Sequence, residues 1–212
     1  GECGTPYDLA GAAAYKALAD GDRSEEPWTP HIMALEFLYN ALDAMHLSST
    51  QWNYTASNSN DLAIGDGWNQ EDLSIFSRDQ QDDPADINSG GRALKGFVRP
   101  YLQSCIGTPL ETKFTLDTGE FVSRYQPEGS GEAKFFVPVL QYPDGYSLSV
   151  DGGTADYDAI AQKVTVTPEG TGEVVISISP GSIGHFDQVS FRLDAGSSPG
   201  RQSVFGLNNF WP

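Results

Sequence analysis

Glu2 is the first residue in the chain with a side chain suited to catalysis, and it stands in the string Gly1-Glu2-Cys3-Gly4. Its small glycine neighbours let the backbone turn sharply and leave the carboxylate uncovered. An ionised carboxylate can act as the nucleophile in glycoside hydrolysis when a second carboxyl group lies about 5–5.5 Å away. Glu2 is therefore a candidate nucleophile. An ordinary surface turn is the alternative.

Aromatic and polar residues further along the chain could bind a sugar. The ring of Trp52 could form a floor on which the apolar face of a sugar stacks, although a core tryptophan would look the same in sequence. The segment 65–75 supplies carboxylates, amides and the indole of Trp68, a mixture that suits hydroxyl groups. It would also suit a calcium loop, but its acidic residues do not follow EF-hand spacing.

Helices and short extended runs are predicted to position these residues. An Ala-rich run from Leu9 to Asp20 predicts a helix. A second helix is predicted with Thr29 as its N-cap and Pro30 in its first turn. The apolar stripe that it is predicted to pack on a core contains Ile32, Leu35, Phe37, Leu38, Ala41, Leu42 and Met45.

The chain then changes character along its length. The β-favouring run 49–55 precedes a long polar loop from Ala56 to about Asn88, and a short helix is predicted from Gly91 to Arg99. From Thr108 onward, seven short runs alternate with period two between Asp-Gly, Glu-Gly and Pro-Gly turns, which predicts a β-sandwich.

This order of elements predicts an α/β part followed by an all-β part. The fold class expected is the last two β/α units of a TIM (β/α)₈ barrel followed by a C-terminal β-sandwich. We expect residues 1–107 to belong to the barrel, 108–195 to form the sandwich, and 196–212 to be a tail packed on the body. The opening string GECGTPYD resembles the end of a buried strand, so we expect further residues upstream.

The composition excludes several classes of function. A net charge of −17 repels phosphate backbones and anionic lipids, so nucleic-acid binding is not expected. We expect no stable membrane insertion, because no apolar run approaches the roughly 20 residues of a spanning helix. The cysteines and histidines are scattered, which predicts no metal site. Cys3 and Cys105 are expected to be buried free thiols, with one long-range disulfide as the alternative. The compartment stays open between secreted and cytoplasmic.

Four strings of residues, taken together, resemble one known family. GECGTPYD, QWNYTASNSND, GDGWNQEDLSIFS and GGRALKGFVRPY follow each other in the order and spacing of the endoglycoceramidase-related branch of glycoside hydrolase family 5. This branch includes glucosylceramidases and steryl β-glucosidases. The resemblance covers residues 1–109 well and the β-rich half more loosely.

The resemblance implies roles for individual residues. Glu2 matches the catalytic nucleophile at the end of barrel strand seven, and Trp52 matches the aromatic platform on strand eight. The long loop that follows borders the substrate in the family. The residues of this loop that the resemblance assigns to substrate binding are Asp61, Asp66, Trp68, Asn69 and Glu71. Cys3 and the run Ser57–Asp61 depart from the family pattern.

The function implied is that of the C-terminal part of a retaining β-glycosidase. Its expected substrate is a β-glucoside, and the resemblance implies a glycolipid such as glucosylceramide or a steryl glucoside. No cofactor or metal is expected. The acid/base glutamate would come from the missing N-terminal barrel half, so the chain alone is expected to be inactive. A non-catalytic carbohydrate-binding β-sandwich protein and a calcium-binding structural protein are the alternatives.

Overall fold

The computed structural model describes residues 1–68, 70–181 and 189–191. The chain forms two compact units that divide between Val98 and Arg99. The sequence placed this boundary between residues 107 and 108, because a strand that begins at Tyr101 was not predicted. The predicted tail, 196–212, and Asn69 lie outside the described residues.

The first unit contains a parallel pair of very short strands with two helices between them in sequence. The strands are paired in the register Glu2↔Thr50 and Cys3↔Gln51. Parallel strands need a crossover connection, which the helices provide. The elements are β1 (Glu2–Cys3), α1 (Leu9–Ala19), α2 (Thr29–Ala44) and β2 (Thr50–Gln51), with 3₁₀ turns at Glu26–Trp28, Arg78–Gln80 and Leu94–Gly96.

Both helices were predicted, with differences at their N-termini. Ala10, Gly11 and Ala12 have positive φ angles of 55°, 66° and 56°, so the regular part of α1 begins after them. Thr29 is the first residue of α2 and does not cap it. Its Oγ1 donates a hydrogen bond to the carbonyl oxygen of Glu26 at 2.7 Å, which closes the preceding 3₁₀ turn instead.

The apolar stripe predicted for α2 is only partly buried. Leu35 is fully buried, but Phe37 and Met45 are 70% and 68% exposed, so the prediction was wrong for these two residues. Phe37 follows Leu35 by two positions, which places it on the opposite side of a helix with 3.6 residues per turn. The core of this unit contains Tyr7, Ala12, Ala14, Tyr15, Trp28, Leu35 and Ala93.

The second unit is made of strands that form two sheets. The strands are β3 (Tyr101–Ser104), β4 (Gly107–Thr115), β5 (Glu120–Pro127), β6 (Ala133–Phe136), β7 (Tyr146–Asp151), β8 (Gly153–Asp158), β9 (Lys163–Pro168), β10 (Val174–Pro180) and β11 (Val189–Phe191). The four-stranded sheet has the order β4-β5-β10-β7, and the five-stranded sheet has the order β11-β8-β9-β6-β3. The pairings are antiparallel except that β11 runs parallel to β8.

The two sheets pack on one shared hydrophobic core. Phe121 of β5 and Phe135 of β6 meet edge to face with their ring centroids 6.4 Å apart. Alternation along each strand supplies the core, as in β10, where Val174, Ile176 and Ile178 are buried. The prediction of a β-rich second half is confirmed.

Two parts of the secondary structure differ from the sequence prediction. The strands β3 and β8 were not predicted. The helix predicted from Gly91 to Arg99 was wrong, since only the 3₁₀ turn Leu94–Gly96 forms there. Ala93, directly before this turn, has a φ of 52°, which a right-handed helix does not allow.

In the part of the chain that the structure describes, no helix is both long and apolar enough to cross a membrane. Both Cys3 and Cys105 are free thiols.

Candidate active site

The strands β1 and β2 bring Glu2 and Trp52 onto neighbouring segments. The ladder continues beyond the paired residues, because the Trp52 amide donates to the carbonyl oxygen of Cys3 at 2.7 Å. Glu2 is paired with Thr50, and alternate residues of a strand share a face. The register therefore puts Glu2, Thr50 and Trp52 on the same face of the pair. Glu2 is exposed there.

Gly4 allows the ends of the two strands to approach closely. A Cβ atom at this position would lie 2.1 Å from the carbonyl oxygen of Trp52, which is far inside van der Waals contact. Gln51 also holds this carbonyl through its Nε2 at 3.2 Å, and Tyr39 in turn donates to Gln51 Oε1 at 3.0 Å. The peptide bond between Trp52 and Asn53 is cis.

A surface depression of about 480 Å³ begins at Trp52. Its size is within the range of small-molecule sites, about 300–1,000 Å³. Three of the predicted site residues, Trp52, Asp66 and Trp68, line it, whereas Glu2 and Glu71 do not. The complete lining is Gln51, Trp52, Asn53, Tyr54, Thr55, Asp66, Gly67 and Trp68.

Asp66 orders the walls of this depression through hydrogen bonds. Its Oδ1 accepts from the Trp68 amide at 2.9 Å, and its Oδ2 accepts from Asn53 Nδ2 at 2.8 Å and from the Leu73 amide at 3.2 Å. Both oxygens of this buried carboxylate are thus engaged by the protein. The contacts that the structure gives Asp66 orient Trp68 and Asn53, and its predicted contact with substrate stays a prediction.

Trp68 stands on a tight turn, with 59% of its surface exposed. Backbone hydrogen bonds from Asp66 to Glu71 at 2.8 Å and from Glu71 to Trp68 at 3.0 Å close this turn. Gly65 has a φ of +59°, and a Cβ there would lie 1.9 Å from the Glu71 carbonyl oxygen, so the turn requires glycine. The turn presents an indole beside the depression.

The other loop residues predicted to bind substrate are Asp61, Asn69 and Glu71. The Oδ1 of Asp61 accepts from the Ala63 amide at 2.8 Å, which stabilises its own turn. Glu71 has an exposed side chain, and its backbone closes the turn of Trp68. Asn69 lies outside the described residues. Among the residues that are described, no group of three or more His, Cys, Asp or Glu side chains could hold a metal ion.

The β-rich unit identifies the family. Residues 99–179 match the family model described as the glycoside hydrolase family 5 C-terminal domain. This stretch is a family 5 C-terminal domain. The resemblance to glycoside hydrolase family 5 is thereby confirmed, and relatives that match parts of the chain agree with it.

The relatives of this chain are glycoside hydrolases. It is 31% identical over 157 residues to a glucosylceramidase of Rhizopus delemar, covering 67% of this chain and 22% of the relative. It is 38% identical over 96 residues to endoglycoceramidase I of Rhodococcus hoagii, covering 44% of this chain and 20% of the relative. The chain therefore spans about a fifth of the length of these relatives.

Solved structures of family 5 enzymes share the fold. The crystal structure of sterylglucosidase 1 from Cryptococcus neoformans has a TM-score of 0.72 and 26% identity, covering 85% of this chain and 28% of that one. Endo-glycoceramidase II from Rhodococcus sp. has a TM-score of 0.53 at 17% identity, covering 85% of this chain and 32% of that one, and shows likeness of fold alone.

The first unit also contains a buried ion pair that was not predicted from the sequence. Arg92 and Asp72 are 0% and 3% exposed and form a two-pronged contact, with Arg92 Nη1 2.9 Å from Asp72 Oδ2. The hydroxyl of Tyr15 donates to the same carboxylate. The only sequence signal was an arginine between the small residues Gly91 and Ala93, within a segment predicted to be a helix.

Aromatic rings enclose this ion pair. The guanidinium of Arg92 lies 4.2 Å from the ring centroid of Tyr7. Burial raises the pKa of Tyr7 and of Tyr15, although the positive charge of Arg92 acts in the opposite direction. Both hydroxyls therefore stay protonated in the folded protein and serve as hydrogen-bond donors.

His31 stacks against the ring of Tyr7. The two rings are stacked with centroids 5.6 Å apart, and His31 Nε2 donates to the Tyr7 carbonyl oxygen at 3.0 Å. Burial lowers the pKa of His31 below its ordinary value of 6.5, and the nearby charge of Arg92 lowers it further. The neutral imidazole is the form that this cluster stabilises.

We expect His31 to make the stability of this protein sensitive to acid. Its folded pKa is lower than its unfolded pKa, so its stabilising contribution is fully present above about pH 6.5 and is lost as the pH falls through the folded pKa. Urea unfolding at pH 7.5 and pH 5 should show a smaller pH dependence for His31→Asn than for wild type. The exposed residue His46 provides the control His46→Asn, and an equal change in both variants would contradict the prediction.

Proposed function

We propose that the protein containing this chain is a retaining β-glycosidase that hydrolyses the β-glucosides of lipids. The observation that carries this proposal is the parallel register that puts Glu2 and Trp52 on one face of the β1–β2 pair. A carboxylate beside an aromatic sugar platform is what nucleophilic glycoside hydrolysis requires. The glucosylceramidase, endoglycoceramidase and sterylglucosidase relatives support a glycolipid as the substrate.

In this proposal β1 and β2 are the last two strands of a (β/α)₈ barrel, and the two sheets of residues from 99 onward are the C-terminal β-sandwich. Catalytic groups of such barrels lie at or just beyond the C-terminal ends of the strands. Here β1 ends at Cys3, one residue after Glu2, and β2 ends at Gln51, directly before Trp52. The second carboxyl group comes from the other barrel units. The chain by itself is then inactive, since its two strands cannot close a barrel.

The proposed reaction proceeds through a covalent intermediate. Glu2 attacks the anomeric carbon while a glutamic acid outside this chain protonates the oxygen of the departing lipid alcohol. The same residue then deprotonates a water molecule, which cleaves the glycosyl ester and releases the sugar with its configuration retained. Trp52 supplies a stacking surface for the sugar, and no metal or cofactor takes part.

The depression next to Trp52 gives a direct test of substrate binding. In the enzyme that contains this chain, Trp68→Ala should weaken binding of octyl β-glucoside by about 2- to 12-fold, because a stacked aromatic contact contributes roughly 0.5–1.5 kcal/mol. Titration followed by tryptophan fluorescence measures the affinity. Tyr101→Ala removes a partly exposed aromatic ring from the second unit and should leave the affinity unchanged. Equal affinities in the two variants would remove Trp68 from the site.

A carbohydrate-binding protein without catalysis is the alternative. A binding protein would also lose affinity for the sugar in Trp68→Ala, but it would not hydrolyse a β-glucoside. Release of an alcohol from an aryl β-glucoside by the enzyme that contains this chain distinguishes the two functions. Binding of the sugar without any release would favour the binding protein.

A further inference from the structure

The residues that follow β1 and β2 both form hydrogen bonds with one short piece of the long loop, residues 71–75, which we call the central segment. The chain that leaves β1 joins it where the Tyr7 amide donates to the carbonyl oxygen of Asp72 at 2.7 Å. The chain that leaves β2 joins it where the Asn53 amide donates to the carbonyl oxygen of Leu73 at 2.9 Å. The central segment therefore holds the continuation of both strands.

The turn that presents Trp68 is attached to the same segment. The Asp66 amide donates to the carbonyl oxygen of Glu71, and the Leu73 amide donates to the Asp66 carboxylate. That carboxylate also accepts from the Trp68 amide. All three pieces of the candidate site, those of Glu2, Trp52 and Trp68, thus depend on the position of the central segment.

Arg92 fixes the central segment by bonding to three of its residues. Its two outer nitrogens hold the carboxylate of Asp72, and its Nε donates to the carbonyl oxygen of Ser74 at 3.0 Å. Its backbone amide donates to the carbonyl oxygen of Ile75 at 2.8 Å. The planar guanidinium provides several donors in a fixed geometry, which an ammonium group does not.

Both carboxylate oxygens of Asp72 also accept hydrogen bonds from residues other than Arg92. Asn58 Nδ2 donates to Asp72 Oδ1 at 3.2 Å, and Tyr15 donates to the other oxygen. A buried ion pair gains little net stability over an apolar replacement, because both charges must be desolvated. A buried ion pair in which both side chains form further hydrogen bonds holds the segments that it joins in one defined geometry.

We propose that Asp72 and Arg92 are positioning residues that align Glu2 with the aromatic surface of Trp52 and Trp68. The proposal rests on the proposed function. It assigns to the pair a role in substrate alignment through the central segment, without contact with substrate. A displacement of about 1 Å at a reacting centre is enough to lower a rate by about 100-fold.

Arg92→Lys tests this inference in the enzyme that contains this chain. Lysine keeps the charge but has a single nitrogen, so it cannot reproduce both the two-pronged contact with Asp72 and the hydrogen bond from Nε to Ser74. We expect kcat/KM for an aryl β-glucoside to fall by about 10- to 100-fold, with a lower kcat and a higher KM, at a temperature at which the variant is fully folded. The affinity for octyl β-glucoside, measured by tryptophan fluorescence, should fall as well. A purely structural role would lower Tm without changing KM.

Arg124→Lys is the matched control. Arg124 also forms ion pairs with two carboxylates, those of Glu111 and Glu173, but it lies on the surface of the second unit. It should change neither kinetic constant. If Arg92→Lys fails to fold, Tyr15→Phe removes a single hydrogen bond from Asp72 and should give a smaller loss in the same direction.

The outcomes separate this inference from the proposed function. Wild-type kcat, KM and sugar affinity in a folded Arg92→Lys variant would overturn the inference. If Arg92→Lys does not fold, wild-type values of kcat, KM and sugar affinity in Tyr15→Phe would overturn the inference. A wild-type enzyme without turnover would overturn the proposed function, and a loss of sugar affinity in the variants would then still support the role of the pair in aligning the site.

Discussion

Glu2→Gln should abolish turnover of an aryl β-glucoside by the enzyme that contains this chain, with kcat lowered by about 10⁴-fold or more. The amide has nearly the size of the carboxylate but carries no charge, and it is a poor nucleophile toward the anomeric carbon. Because Glu2 is exposed, its replacement leaves no buried group unpaired. Steady-state kinetics together with Tm measures the two effects separately.

Glu26→Gln is the matched control for this variant. Glu26 is also an exposed glutamate of the first unit, and the contact that it makes with Thr29 uses its backbone carbonyl oxygen. It should keep kcat within a few-fold of wild type. Azide should restore turnover in Glu2→Ala by attacking from the side that the carboxylate occupied. Undiminished turnover in Glu2→Gln would show that this carboxylate is not the nucleophile.

Asp72→Ala should lower the free energy of unfolding by about 3–5 kcal/mol, because it leaves the charge of Arg92 buried without its counterion. The hydroxyl of Tyr15 and the amide of Asn58 lose an acceptor in the same change. Urea denaturation measures the loss. The effect is large because Arg92 has no route to solvent from its fully buried position.

Glu111→Ala provides the comparison for an exposed pair. It removes a carboxylate 3.3 Å from Arg124, but this guanidinium keeps Glu173 and contact with water. We expect a clearly smaller loss, since exposed ion pairs contribute little to stability. Equal losses in the two variants would mean that burial does not set the effect of Asp72.

The sequence predicted elements well where a local pattern decides them. In β5 and β10 the alternation of buried and exposed residues follows the period-two pattern directly. The strand β8, Gly153–Asp158, was missed because Gly, Ala and Asp have low strand propensity, and its place in the sheet comes from its pairing with β9. Tertiary contacts therefore decided the elements that the pattern did not predict.

The same distinction applies to the candidate site. The sequence singled out Trp52 and Trp68 as candidates because an indole beside polar residues suits a sugar, and both line the depression. Their contact with a sugar stays a prediction. The pairing of Asp72 with Arg92 joins residues 20 positions apart in sequence, and no periodicity links them. The role of Asp66 was equally hidden, since its hydrogen bonds to Trp68 and Leu73 depend on the shape of the turn.

Gly4 has a practical consequence for directed evolution of this protein. Every amino acid with a β-carbon would push the Trp52 carbonyl away and separate the two strands at the point where the site begins. A mutant library aimed at new sugar specificity should therefore keep this codon invariant. Diversity is better introduced at Tyr54 and Thr55, whose side chains border the depression without closing any strand contact.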